Sequence, residues 1–236
     1  MSATQSGQIP PVITIDGPSG SGKGTVAFRM AQELQWPILD SGAIYRVLGL
    51  AVHRANIDPT NPDNVGEIVQ LAESLPLTFE AEPETGEVVA VLDGEAVGDL
   101  IRSDEAGVRA SEVAKIPEVR TALLQRQRDF RKFPGLIADG RDMGTIVFAD
   151  APVKIFLTAS AETRANRRFE QLKQKGIDAS LCALLESIKA RDERDRTRTV
   201  APLVPAEGAF VVDSSNLSID EVFSQVFEYS KKVLGM

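Results

Sequence analysis

Eight residues, Gly17-Pro18-Ser19-Gly20-Ser21-Gly22-Lys23-Gly24, hold the densest chemistry in this chain. Four of the eight are glycine, so the backbone can curl until successive N–H groups converge. Lys23 adds a mobile ammonium, and a helix behind the loop adds the positive end of its dipole. Such a cradle suits the di- or triphosphate of a nucleotide. Gly24 stands where many phosphate loops carry a Ser or Thr that ligates magnesium, and Thr25 falls one place late.

A nucleoside triphosphate held there needs a phosphoryl acceptor. Phosphoryl transfer depends mostly on positioning and on neutralising charge that spreads over the moving group. Arginine fits that task, since its fork donates two bonds and it does not deprotonate. Arg46 lies beside Tyr45 on the helix after Asp40-Ser41, and Arg141 follows a strand end. Arg191, Arg194 and Arg198 have i, i+3, i+7 spacing and share one face while the chain stays helical, with Asp195 on or near that face. A solvated helix end is the alternative reading of these charges. The break at Thr197-Arg198-Thr199-Val200-Ala201-Pro202 allows a mobile flap instead.

Other chemistries have little support. Cys182 is the only cysteine and His53 the only histidine. They leave no intrachain disulfide, no cysteine-based or zinc site and no Ser-His triad, and no protein metal ligand is expected. Cys182 falls among Leu181, Leu184, Leu185 and Ile188 at helical spacing, which predicts a small core residue. His53 reads as a partly exposed helix residue.

Apolar runs that alternate with helical patterns must position these groups. Strands are predicted at about 12–15, 37–39, 135–138, 153–158 and 209–212. Helices are predicted at about 22–35, 41–55, up to 74, 103–115, 117–132, 161–175, 180–194 and 219–234. This pattern implies an α/β fold with a parallel sheet flanked by helices, whose ligands bind at the carboxyl ends of the strands. The phosphate loop, Asp40-Ser41 and Asp139 to Asp142 all fall at such ends. Between 75 and 97 the period changes to two. Turn chemistry at Pro83-Glu84-Thr85-Gly86 and Asp93-Gly94 predicts a small antiparallel β insertion. Residues 1–10 read as a flexible tail.

At 236 residues and 43% apolar content, the chain suits one large α/β domain with inserted pieces. A net charge of −8 disfavours a nucleic-acid partner. Yet residues 164–198 carry ten Lys/Arg against six Asp/Glu, a basic patch suited to a small polyanion. No segment approaches a membrane span, and the polar N-terminus lacks a signal core, so a cytoplasmic protein is expected.

The Gly24-Thr25 ending of the loop is similar to that of nucleoside monophosphate kinases rather than of GTPases. Three further strings extend the likeness: Leu39-Asp40-Ser41-Gly42-Ala43-Ile44-Tyr45-Arg46, Ile137-Ala138-Asp139-Gly140-Arg141-Asp142-Met143-Gly144-Thr145, and Arg191-Asp192-Glu193-Arg194-Asp195-Arg196. Together with Gly17 to Thr25 they resemble the bacterial cytidylate kinases, from about Pro11 to Met236. The resemblance implies the P-loop NTPase fold with a helical lid. It implies a core of residues 11–64, 117–176 and 199–236, a monophosphate-binding insertion at 65–116 and a lid at 177–198. It implies ATP held by Gly17 to Thr25, with Lys23 bridging its phosphates. Arg46, Arg141 and Arg198 would grip the acceptor phosphate, and Ser41 and Tyr45 would line the acceptor pocket. Ser111, Arg120 and Asp142 would face cytosine, Arg191 and Asp195 the sugar, and Arg194 would close over ATP. Lys23, Arg141, Arg194 and Arg198 would carry catalysis.

A carboxylate plus a guanidinium complements the donor N4 amine and acceptor N3 of cytosine, whereas the O4 of uracil would meet a carboxylate. The expectation is therefore a monomeric kinase converting ATP and CMP or dCMP to the diphosphates, with Mg2+ brought by ATP. The alternatives are a UMP or AMP kinase, a nucleotide-binding regulatory module, and an acyl or sugar kinase on the same loop.

Overall fold

The first strand, β1 (Val12–Asp16), is buried along its whole length, as a central parallel strand must be. The computed structural model describes residues 9–81 and 88–236. The turn expected at Pro83 to Gly86, and residues 1–8 of the expected tail, lie outside them. The phosphate loop follows β1 and leads into α1 (Lys23–Leu34). Then come β2 (Ile38–Asp40), α2 (Ser41–Arg54) and α3 (Val65–Glu73). The small sheet follows as β3 (Leu77–Ala81), β4 (Val88–Leu92) and β5 (Glu95–Ala96). After it run α4 (Asp104–Val113), α5 (Pro117–Arg128), β6 (Leu136–Gly140) and β7 (Val153–Thr158). The chain closes with α6 (Ala161–Gln174), α7 (Leu181–Arg196), β8 (Phe210–Asp213) and α8 (Ile219–Leu234).

The main sheet has the order β2-β6-β1-β7-β8, and every pairing in it is parallel. Its strands therefore end together, and the segments after β1, β2 and β6 meet at one edge. Those are the three places where the chemistry-bearing strings were expected. The order turns outward on either side of β1, the crevice where open α/β sheets bind ligands. The small sheet is separate and antiparallel, with Leu77 opposite Leu92 and Ala81 opposite Val88.

Each face of the main sheet buries its own core. On one face Ile13, Ile15 and Leu157 pack against α1 and α8 through Val26, Met30, Val222 and Val226. On the other, Val12, Leu136 and Ala138 pack with Ile44 and Leu48 of α2. Ile68, Leu92 and Val113, from the segment between α2 and α5, share that second core. The segment is thus wedded to the sheet by apolar burial, which is worth about 25 cal/mol per Å2 removed from water.

Most boundaries fall within two residues of expectation. β6 runs on through Asp139 to Gly140, so Asp139 is a strand residue. A single π-helical turn at Met143–Val147 follows it, with no periodic signal of its own. α7 ends at Arg196, which leaves Arg198 beyond the helix, and Ala201 takes φ 52 in the break expected there. One expectation fails. Cys182 is exposed, not in the core. It lies two residues, about 200°, around α7 from the half-buried Leu184, so the face that carries Leu184 and Ile188 turns Cys182 outward. His53 is exposed, near the end of α2.

Candidate active site

Gly17 opens the phosphate loop because nothing larger fits. A Cβ there would lie 2.0 Å from the carbonyl oxygen of Leu157 on β7. Gly20 and Gly22 take φ of 79° and 92°, a region that favours glycine. Gly22 is the N-cap of α1 and provides no side-chain cap. The first N–H groups of that helix are left for a ligand. Ser21 Oγ is also buried without a hydrogen-bond partner. Gly17 and Pro18 are buried beneath the loop and do not line the cleft, whereas Ser19 to Thr25 do.

Lys23 Nζ lies 3.8 Å from Asp139 Oδ1 at the end of β6. Burial pushes Lys23 down to about 8, against the pull of Asp139. It pushes Asp139 up to about 6, against the pull of Lys23. Both values are moved toward neutral pH, so added phosphate charge would favour the ionised lysine.

The cleft above the strand ends has a volume of about 1220 Å3, larger than the 300–1,000 Å3 typical of a single small-ligand site. Every remaining expected site residue lines it. Asp40 caps α2 by accepting the Ala43 N–H at 2.9 Å, and its other oxygen accepts from Arg46 Nη2 at 2.8 Å. One carboxylate thereby starts the helix and aims the arginine one turn along it. Ser41 donates to Gln127 Oε1 of α5 at 2.7 Å. Tyr45 is buried beside Arg120, whose guanidinium sits 5.5 Å from the ring centroid. Burial pushes the Tyr45 phenol up to about 12, so it stays a neutral donor.

Arg120 of α5 and Asp142 form an ion pair in which both side chains are under a tenth exposed. Burial opposes the Arg120 charge, but Asp142 and Tyr45 overcome it and raise its pKa. Ser111 of α4 lines the same end, with its hydroxyl donating to the Gly107 carbonyl at 2.9 Å.

Arg141 Nε donates to Asp195 Oδ2 at 2.8 Å. Asp195 is buried, which alone would raise its pKa, yet Arg141, Arg198 and Arg191 hold it below the usual carboxylate range. Arg191 is pushed down to about 10 by burial and by Arg141 beside it. Arg198 is also lowered by burial. Buried Nε of Arg46, Nε of Arg191, and Nε and Nη2 of Arg198 have no hydrogen-bond partner among the described residues. A buried donor left unmade costs about 1–3 kcal/mol, more when charged. Arg46, Arg191 and Arg198 line one cleft with Arg141, apart from the phosphate loop, a concentration of guanidinium charge that can take an anion. Arg194 lines the cleft and donates from Nε to the Ala190 carbonyl at 3.3 Å.

Several working residues escaped the sequence reading. Arg164 of α6 is buried against Gly20, donates from Nη1 to the Ser19 carbonyl at 3.2 Å, and pairs through both terminal nitrogens with Asp192 of α7. It ties the phosphate loop to α7, and nothing in a charged helix face announces that. Gln127 and Asp16 were missed as well. Asp40 is expected at a strand end, and its capping role is legible too, because an acid before a helix with a basic residue six places on is a cap with a partner.

No group of three or more His, Cys, Asp and Glu able to hold a metal occurs among the described residues. None of their helices is long and apolar enough to cross a membrane.

The cytidylate kinase family model matches residues 13–232. The chain is 55% identical over 222 residues to a cytidylate kinase of Colwellia psychrerythraea, covering 93% of this chain and 96% of that protein. It is 56% identical over 216 residues to a cytidylate kinase of Stutzerimonas stutzeri, covering 92% and 93% respectively. Among solved structures, a shikimate kinase of Bacteroides thetaiotaomicron aligns with a TM-score of 0.42 at 14% identity, over 96% of this chain and 99% of that one.

Proposed function

The chain belongs to the cytidylate kinase family, and from that premise we propose that it transfers the γ-phosphoryl group of ATP to CMP and dCMP, giving ADP and CDP or dCDP. The observation that carries the acceptor side is the convergence of buried, unpartnered guanidinium donors beside the Arg120–Asp142 pair.

ATP lies with its β- and γ-phosphates on the Ser19 to Thr25 amides and Lys23. Arg46, Arg141 and Arg198 hold the CMP phosphate in line with the γ-phosphorus. An oxygen of that phosphate forms the new P–O bond while the β–γ bridging bond breaks, and its electrons pass to the β-phosphate of ADP. The attacking oxygen is already anionic near neutral pH, where a phosphate monoester is mostly doubly ionised, so no side chain need remove a proton. Lys23 and the arginines supply the electrostatic stabilisation that dominates such transfers. Arg191 and Asp195 contact the sugar, Ser41 and Tyr45 line the acceptor pocket, and Ser111, Arg120 and Asp142 read the base. Arg194 belongs to a lid, residues 177–198, that closes over ATP and excludes water. Residues 65–116 form the monophosphate-binding insertion on a core of 11–64, 117–176 and 199–236.

Mg2+ brought by ATP would neutralise charge in the transfer. The chain fits a metal held mainly by substrate and water. Gly24 has no hydroxyl; among the described residues Ser21 Oγ near the loop is buried without a hydrogen bond, and Asp139 Oδ1 makes none but faces Lys23 at 3.8 Å. The protein acts as a cytoplasmic monomer without nucleic-acid or membrane partners; its net charge of −8 supports the exclusion of nucleic acid.

Steady-state rates with CMP, dCMP, UMP and AMP test this reading. A bidentate base contact discriminates by about 1–3 kcal/mol, so kcat/KM for CMP should exceed that for UMP by roughly 10- to 100-fold. UMP or AMP outperforming CMP would overturn the acceptor assignment.

A further inference from the structure

Asp16 is the last residue of β1 and the one before Gly17, and it is 2% exposed. It does not line the cleft. Its Oδ1 accepts the Met143 N–H at 2.9 Å and its Oδ2 accepts the Gly144 N–H at 2.8 Å. Those amides open the π-helical turn Met143–Val147, directly after Arg141 and Asp142.

The first N–H groups of a helical turn have no partner within it. The residue before the turn usually supplies one with its side chain, and an aspartate is among the best for this. Here that residue is Asp142, and it makes no side-chain cap. Its backbone carbonyl accepts the Ile146 and Val147 N–H groups at 2.9 and 3.2 Å, while its carboxylate pairs with Arg120. Capping has passed across the sheet to Asp16, which leaves the Asp142 side chain for the base edge. Gly144 permits the approach, since a Cβ there would lie 2.8 Å from Thr14 Oγ1 and 3.3 Å from Asp16 Oδ2.

We propose that Asp16 is a positioning residue of the acceptor site. By holding the Met143 and Gly144 amides it sets the angle at which Arg141 and Asp142 enter the cleft. Through its peptide bond to Gly17 it ties that angle to the phosphate loop. The inference rests on reading the site as that of a CMP kinase. Burial raises the Asp16 pKa to about 7, the two amides pull it down, and Asp142 and Asp139 add to the rise. Keeping a carboxylate there is costly, and the two amide bonds are what offset that cost.

Asp16→Asn keeps the size and one acceptor oxygen but turns an NH2 group toward the other amide. The variant should raise KM for CMP about tenfold and reduce the CMP-over-UMP preference by a similar factor. Its Kd for ATP, measured without CMP, should stay within about twofold of wild type, since the loop amides are untouched. Gly144→Ala pushes the turn off Asp16 from the other side and should give the same split. Equal weakening of ATP and CMP, an unchanged CMP-over-UMP ratio, or failure of both variants to fold would make Asp16 a support of the sheet and overturn the inference. Wild-type protein that does not phosphorylate CMP would overturn the reading beneath it, and the inference with it. Wild type active on CMP, with a variant that keeps its selectivity, overturns the inference alone.

Discussion

Arg141→Ala is expected to lower kcat/KM for CMP by about 10²- to 10³-fold. Truncating one partner of a buried, hydrogen-bonded charge pair costs about 2–5 kcal/mol, and each 1.4 kcal/mol is tenfold. Two effects would combine. On the proposed reading the CMP phosphate would lose a guanidinium that Asp195 holds at 2.8 Å, and Asp195 would be left buried among fewer cations. Arg191 and Arg198 remain near Asp195, so the fold should lose less than a fully broken buried pair, about 2 kcal/mol or some 4–8 °C in Tm. Steady-state kinetics beside a melting curve separate the two effects. Activity within threefold of wild type would remove Arg141 from the acceptor phosphate. In the wild type the depressed pKa of Asp195 adds stability above the unfolded value near 3.8 and loses it as the pH falls through the folded value. Arg141→Ala should flatten that acid limb.

Lys23→Ala should reduce kcat by about 10³-fold or more while the protein still folds. Removing one preorganised donor from a developing charge typically costs 10²–10³ in rate, and Lys23 carries a full charge besides. The fold should lose about 1 kcal/mol or less. Without Lys23, burial raises Asp139 further above its value of about 6, which shifts the acid toward its neutral form and eases its burial. The wild type offers a matching signature. Lys23 sits near 8 in the free protein, against 10.5 for an unperturbed lysine, and bound phosphates favour its charged form. ATP binding at pH 9 should therefore take up as much as about one proton, and Lys23→Ala should lose that uptake. Calorimetry in two buffers of different ionisation enthalpy measures it, and equal uptake by both proteins would contradict the placement.

Much of the frame was legible because its determinants are local. Val12 to Ile15 is a short apolar run before a glycine cluster, and strand, loop and helix follow from it. Asp93-Gly94 marks the tight turn between β4 and β5. Pro117 opens α5 at a position where its missing N–H costs nothing. Parallel pairing then aligned the strand ends, which is why Asp40, Asp139 and the loop meet although no local rule joins them.

What the sequence withheld depends on contacts across the fold. Arg120 and Asp142 are 22 residues apart and meet because α5 packs against the π-helical turn that follows β6. Without the family resemblance, Arg120 and Ser111 read as ordinary helix surface. Asp16 would pass for a strand-end acid, and its task shows only in the register that sets it opposite Gly140, just before the turn it caps. Cys182 shows the opposite failure. Helical spacing among leucines put it in a core, but α7 packs with one narrow face, and Leu181 is itself 41% exposed.

The central claim is that the loop and the arginine cluster hold donor and acceptor for one transfer. Phosphorus-31 NMR of the protein with equimolar ATP, CMP and Mg2+ tests it directly. The expected spectrum shows ADP and CDP rising together, with no inorganic phosphate and no loss of ATP when CMP is omitted. ATP converted to ADP and inorganic phosphate without CDP, or left intact beside CMP, would contradict it.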